Sequence, residues 1–448
     1  MKAAQRAAAV SRATPHRSWW GVVAAGALIS AATAPGQTAG LSPLTDPLIS
    51  QLGISRTDIS FSYLVGTLAG ALALPFIGRG IDRWGARRVI VVAVTAFALA
   101  LLGLSFVADI YGLTAGFVIL RMASQGTLTL AATTAVVKAI HHRRGLAIGL
   151  VSAIGSAGIS LTPLLVERVV SSGGIALALR LQSAAVLVIV LPMVLLLPSH
   201  RRRTAATDDD ISPAVAATTP AAAVPSTSAP AADESPGTRP GVEPQLAPAP
   251  ERWTTREAAR TPVFWVIAAA LAATGMLSTA LAFHQVSILS TQGLSTAQAA
   301  ANFIPQTITA ILATLVVGAA AHRIDPRYGL TGCMVLLAAA LGFLPLIDGF
   351  GLAVVYGLIL GAASGAIRAI EPIALAHYYG TESIGSIRGL IASINVGSTA
   401  LGPILFSIGR DVIGSYTAPS LIAAVIPVIV GIAALLCPSP RKDRSHAS

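Results

Sequence analysis

Three ionisable side chains stand where charge is costly: Arg121, Arg368 and Glu371 all lie inside long apolar runs of this chain. Charge in such surroundings is rare and marks a solute pathway, a proton relay or an internal ion pair. Arginine offers a fixed fork of donors suited to a carboxylate or phosphate. Arg121 therefore reads either as a ligand for an anionic group or as a structural residue bonded to carbonyls and a neighbouring helix. Arg368 and Glu371 are one helical turn apart and can bond along one face. That pair either holds the kink at Pro372 or lets Glu371 take up a proton and free Arg368 for a solute. His284 is a second proton-coupling candidate, set against an interfacial histidine near the outer end of its helix. Gln125, Gln306 and Asn395 are further polar candidates for binding. Gln37 follows Pro35-Gly36, which breaks its helix near the outer end, as helices lining transporter cavities are broken.

Covalent chemistry has no counterpart in the sequence. There is no Gly-x4-Gly-Lys-Ser/Thr loop and no His-Glu-x2-His, and the two cysteines, Cys333 and Cys437, fall in separate apolar runs. The reading is no enzyme, no cofactor and no metal site.

The elements that must position these residues follow from composition. Hydrophobic residues make up 54% of the 448 and charged residues 11%, and mean hydropathy is +0.74. A soluble domain carries about 25% charged residues to keep its surface wet. The net charge of +11 does not indicate nucleic acid, because the basic residues cluster in alternate gaps between apolar runs. Runs of about 20 residues suffice to cross a bilayer. They predict an all-α membrane protein of twelve spans, at 19–40, 57–78, 88–108, 111–137, 146–166, 175–197, 262–284, 297–320, 328–347, 350–376, 386–408 and 416–437. With a cytoplasmic N-terminus, inner segments hold twenty-four Lys and Arg against four on the outer side. That excess sets both termini in the cytoplasm. The first seventeen residues are polar and basic, so the run after them is expected to be a retained span.

The expected division is a tail at 1–18, a six-helix bundle at 19–198, a disordered linker at 199–260, a second bundle at 261–437 and a tail at 438–448. The linker is rich in Ala, Pro, Ser and Thr and cannot bury apolar surface. Trp253 to Arg260 reads as a short amphipathic helix at its end. The bundles are related. A shift of 240 matches Gly53 to Gly293, Ser55 to Ser295, Thr67 to Thr307 and Arg83 to Arg323, among others. A shift of 244 matches Arg144-Gly145-Leu146 to Arg388-Gly389-Leu390 and aligns the acids Glu167 and Asp411. A parallel repeat of this kind places a cavity between the halves near the midplane.

The densest motif is Gly78-Arg-Gly-Ile-Asp82-Arg83-Trp-Gly85-Ala-Arg87-Arg88, after the second span. It combines a tight turn, basic residues at lipid-phosphate depth and an acid able to face a helix N-terminus. The motif, its place, the repeat and the long central loop resemble the major facilitator superfamily over nearly the whole chain. The resemblance implies a conformational latch made of Gly78, Asp82, Arg83, Gly85, Arg87 and Arg88. In the outward-facing state Asp82 would dock on the start of the eleventh span, at Gly385-Ser-Ile-Arg388. The equivalent loop of the second half has His322 where the acid would stand. Leu120-Arg121-Met-Ala-Ser-Gln125-Gly126, Arg143-Arg144-Gly145-Leu146-Ala147 and Tyr378-Tyr379-Gly380 are similar to bacterial monocarboxylate and oxalate–formate porters. The first span lacks their acidic-Gly-Gly start, and the eighth lacks the arginine on which oxalate–formate and nitrate porters rely.

The expected function is secondary transport of a small solute by alternating access, either proton-coupled or by exchange. Two intramembrane arginines against one acid favour an organic anion. The alternative is a broad-specificity drug or metabolite exporter. The expected setting is a monomer in a bacterial inner membrane, with a small-molecule substrate, the lipid bilayer and protons as its partners.

Overall fold

A computed structural model describes residues 19–140, 143–197, 253–320, 323, 325–380 and 384–440. The tail at 1–18, the linker up to 252, His322 and residues 441–448 lie outside the described residues.

Nine helices among the described residues, counting Thr296–Ala319 as one across its break at Asn302, are long and apolar enough to cross a bilayer. One of them, Arg144–Leu196, is long enough for two crossings and turns at Gly174, whose φ of +78° suits a residue without a Cβ. Two further crossings are interrupted helices, which brings the total to twelve. Span 1 consists of Trp19–Ala31, a 3-10 turn at Ala34–Gly36, and Thr38–Leu52. Span 2 is Arg56–Trp84 and span 3 Ala86–Leu104. Span 4 runs through Ile110–Arg121, a π turn at Met122–Leu128 and Thr129–Ala139. Spans 5 and 6 are the two arms of Arg144–Leu196. Span 7 is Pro262–Thr291, and span 8 joins Thr296–Ala301 to Phe303–Ala319. Spans 9 to 12 are Pro326–Phe343, Phe350–Tyr379, Ile384–Ile413 and Thr417–Leu436. The described residues form an all-α fold, as the apolar runs predict.

Local signals set the helix starts. Ser55 and Asp58 form a reciprocal capping box at span 2, and Ser295 and Gln298 form the same device at span 8. Each box follows a glycine in the left-handed region, Gly53 at φ +62° and Gly293 at φ +88°. The sequence repeat is thus one turn built twice. Thr254 and Glu257 cap the short helix Thr255–Ala258 ahead of span 7, a shorter helix than the predicted 253–260.

Packing follows the halves. One buried apolar cluster draws on Val22 through Leu197 together with Phe283, and a second on Trp253 through Ala434.

Two expected boundaries are corrected. Span 1 does not end near residue 40; a buried segment continues to Leu52, so the break at Pro35-Gly36 lies inside the span. Span 7 continues to Thr291, so His284 does not end its helix and is fully buried in the bundle. In both places polar residues lower local hydropathy, while neighbouring helices supply the burial.

Candidate functional site

The break in span 1 leaves backbone carbonyls inside the bundle that need donors. Arg121, at the end of the first segment of span 4, supplies one. Its side chain is 1% exposed, Nη1 donates to the Gly36 carbonyl at 3.0 Å, and Nε donates to Thr67 Oγ1 at 3.2 Å. The guanidinium lies 4.6 Å from the Tyr63 ring centroid, and the Tyr63 hydroxyl shares a 2.7 Å hydrogen bond with Thr38. Arg121 thus ties spans 1, 2 and 4 together. Gln125 follows it in the π turn and is exposed. Gln37 donates to Thr33 at 3.2 Å, within its own span.

In the second half the expected pair of Arg368 with Glu371 does not form. Glu371 instead accepts from Arg388 Nε at 3.0 Å, with the two side chains 12% and 21% exposed. Arg388 arrives from the next helix and claims the carboxylate. Arg368 Nε donates to the Ser364 carbonyl of its own helix at 2.9 Å, and no acid among the described residues lies within ion-pair distance. Ser364, Arg368 and Glu371 recur at i, i+4 and i+7 and so share one helix face. That face meets span 7 through Ser278 and span 11 through Arg388, so it is turned into the bundle. Arg368, near the middle of span 10, is exposed on it. Asn395, in span 11, has a buried Oδ1 without a hydrogen-bond partner, beside Gly275 of span 7. Gln306 donates to Gln285 at 2.7 Å, and Gln285 donates to the Ala299 carbonyl at 3.3 Å.

His284 closes a polar chain toward the end of the bundle that carries Asp411. Its Nε2 lies 3.0 Å from the Pro403 carbonyl, to which it must donate, and 3.2 Å from Ser407 Oγ. Ser407 in turn meets Ser60 of span 2 at 2.5 Å. Tyr416 approaches Nδ1 at 3.5 Å, and the Arg56 guanidinium lies 5.7 Å from the Tyr416 ring.

The halves are joined at that end. Thr57 of span 2 donates to Asp411 of span 11 through its backbone NH at 3.1 Å and its hydroxyl at 2.6 Å. Thr296 of span 8 donates to Glu167 of span 5 at 2.5 Å. Ser160 and Thr307 meet across the same seam nearer the midplane, and the Val286 NH donates to Ser42 at 3.2 Å. The Ser60–Ser407 hydroxyl pair is a further side-chain hydrogen bond between the halves.

At the opposite end the latch residues turn back into their own halves. Asp82 pairs with Lys138 of span 4 at 3.1 Å, with both side chains open to solvent at 75% and 58%. It does not touch Arg388. Gly85 closes span 2 at φ +83°, while Arg79, Arg83 and Arg88 are exposed. Asp325, in the equivalent loop of the second half, caps span 9, and the hydrogen bonds from Arg327 hold its carboxyl below the usual carboxylate range. Burial thins toward this end: no residue of 71–79 in span 2 or of 311–320 in span 8 is buried, and of 388–399 in span 11 only Ile391 is.

An apolar cavity of about 320 Å³ lies away from this seam, within the first half, between spans 1, 5 and 6 and lined by Leu28, Leu165, Gln182 and Ile189. It holds none of the charged candidates. The sequence reading missed Thr57, Lys138 and Ser407, whose partners are 56 or more residues away. The alignment of Glu167 with Asp411 was the one sequence signal pointing to the cross-seam pairs.

Comparison with known proteins agrees with this architecture. The family profile described as Major Facilitator Superfamily matches residues 27–305. A search of curated proteins finds no match. Among solved structures, the chain is similar to a bacterial homolog of the human lysosomal transporter Spinster in an inward-facing and unoccupied conformation. That likeness has a TM-score of 0.67 and 16% identity, covering 95% of this chain and 97% of the other. The chain is also similar to a mutant of the nucleoside transporter NupG, with a TM-score of 0.69 and 14% identity, covering 92% and 99%. Identities this low establish a shared fold and leave substrate open.

Proposed function

This chain belongs to the Major Facilitator Superfamily, and from that premise we propose that it carries a small organic anion by alternating access, with Arg368 as the anchor. It is a multi-pass membrane transporter rather than an enzyme. The observation that carries the substrate reading is Arg368 itself: an arginine mid-helix, on the inward face of span 10, exposed and without a carboxylate among the described residues. A cation placed there at such cost is explained by an anionic ligand that completes it. Asn395 is assigned to the same site as a polar contact. Arg121 is assigned a structural role instead, since its donors already serve Gly36 and Thr67.

The conformation is read as inward-facing. The Asp82 end, where twenty-four of the basic residues flank the spans, is taken as cytoplasmic by the positive-inside excess. The setting is then a bacterial inner membrane with both termini inside, and the working unit a monomer. The likeness to the Spinster homolog in its inward-facing form supports this assignment of state. Glu371 is the proton-coupling residue in this account, since protonation would release Arg388 at the start of span 11, where Asp82 docks in the opposite state.

Proteoliposome uptake of radiolabelled small mono- and dicarboxylates tests the reading. Saturable flux is expected, with kcat/KM reduced about a hundredfold in Arg368→Ala, the order of loss for removing a charged contact. Transport confined to cations or neutral drugs, undiminished in that variant, would refute it.

A further inference from the structure

We propose that Glu167 and Asp411 form a matched pair of latches, one carried by each half, that hold the Asp411 end shut while the other end is open. The inference deepens the alternating-access reading and rests on it. Each acid sits near the end of a span of its own half and reaches a threonine in the first turn of a span in the other half. Glu167 of span 5 accepts from Thr296 at the start of span 8 at 2.5 Å. Asp411 of span 11 accepts from Thr57 at the start of span 2, through hydroxyl and backbone NH, at 2.6 and 3.1 Å.

Three independent features make the two contacts one device. The acids align under the same shift of 244 that relates Arg144-Gly145-Leu146 to Arg388-Gly389-Leu390. The two receiving turns are both capping boxes preceded by a left-handed glycine, aligned under the shift of 240. Deeper along each seam a pair of hydroxyls continues the contact, Ser60 with Ser407 on one and Ser160 with Thr307 on the other. The two seams are therefore fastened alike, with an acid at the mouth and a hydroxyl pair below it. In both capping boxes the residue that completes the cap, Asp58 or Gln298, is already occupied by its own serine. The cross-seam acid is thus an addition to the helix start and not its cap.

The two latches differ in strength. Glu167 is 8% exposed, whereas Asp411 is open to solvent. A charge-assisted hydrogen bond away from water keeps most of its worth, while an exposed one is weakened by salt.

The test is the distance between spin labels on the full chain in lipid, placed at the exposed Tyr111 of span 4 and Phe350 of span 10, with both native cysteines replaced. The Asp411 end is expected to be mostly closed in the otherwise unaltered protein. Glu167→Gln should raise the open-to-closed ratio about tenfold and Asp411→Asn about threefold. Molar salt should mimic the second change and not the first. Thr57→Val with Thr296→Val removes the hydroxyl donors while leaving both acids, and should move the ratio the same way. It carries the test if the acid variants fail to fold. An unchanged ratio in the threonine pair, or in the double acid variant, overturns the latch. If it is unchanged while the unaltered protein transports anions, the latch alone fails. A single fixed distance with no flux in any variant overturns both the latch and the transport reading.

Discussion

The two ends of this bundle spend their polar side chains differently. At one end Thr57, Asp411, Glu167 and Thr296 reach across the seam between the halves. At the other, Asp82 is held by Lys138 and Arg388 by Glu371, each within its own half. Under the proposed alternating access, this difference is where the state would be stored. The charged partners that could close the second end are present, but each is occupied at home. In the proposed alternation, closing that end would exchange the exposed Asp82–Lys138 pair and the partly buried Glu371–Arg388 pair for contacts across the seam, while the first end gives up its own.

The most disruptive way to break this contrast is to remove the platform beneath the closed end. Arg121→Ala leaves the Gly36 carbonyl and Thr67 without their donor inside the bundle. Each orphaned group costs about 1–3 kcal/mol. Thermal unfolding in detergent should show a loss of stability on the order of 3 kcal/mol, and Arg121→Lys should recover part of it. The closed end should loosen as well, because the second segment of span 1 carries Ser42 to Val286. Full stability in Arg121→Ala would return that arginine to the list of substrate ligands.

A smaller effect is expected at Asp82. Asp82→Asn should leave the present state intact, since an exposed pair contributes about 1 kcal/mol or less. It should still lower turnover about tenfold, by depriving the opposite state of its docking charge. Accessibility of a single cysteine at the Asp411 end should fall in this variant, and unchanged accessibility would count against the latch at the Asp82 end. The smallest effect belongs to Lys138→Ala, which frees Asp82 from its local partner. Turnover should rise slightly or stay level, with stability unchanged within about 0.5 kcal/mol; a loss as large as that of Asp82→Asn would show that Lys138 acts in the docked state too.

What could be read from the sequence follows from how local each signal is. Spans 2, 8 and 11 are plain in the apolar runs, and the serine starts at Ser55 and Ser295 are plain in the repeat. The second segment of span 1 was not readable, because Pro43, Pro47 and Asp46 make it look like a loop, and only neighbouring helices reveal that it is buried. The end of span 7 is hidden in the same way, since polar residues follow His284 while the helix runs on to Thr291. Glu371 illustrates the limit at the site: Arg368 is its neighbour by helical spacing, yet Arg388, seventeen residues on, takes the carboxylate. Spacing along one helix says which pairs can form, and the next helix decides which does. That Arg368 has no acid partner among the described residues, on which the substrate proposal depends, is a consequence of that competition.

The central claim is that the two ends open in alternation. Two label pairs in the same lipid preparation test it most directly, Tyr111 with Phe350 at the Asp411 end and Val92 with Tyr328 at the Asp82 end, all at exposed positions. As transported anion, Glu167→Gln or Asp82→Asn shifts the balance, one distance should lengthen in step with shortening of the other. Both distances lengthening together, or both staying fixed in a preparation that demonstrably transports, would contradict the account.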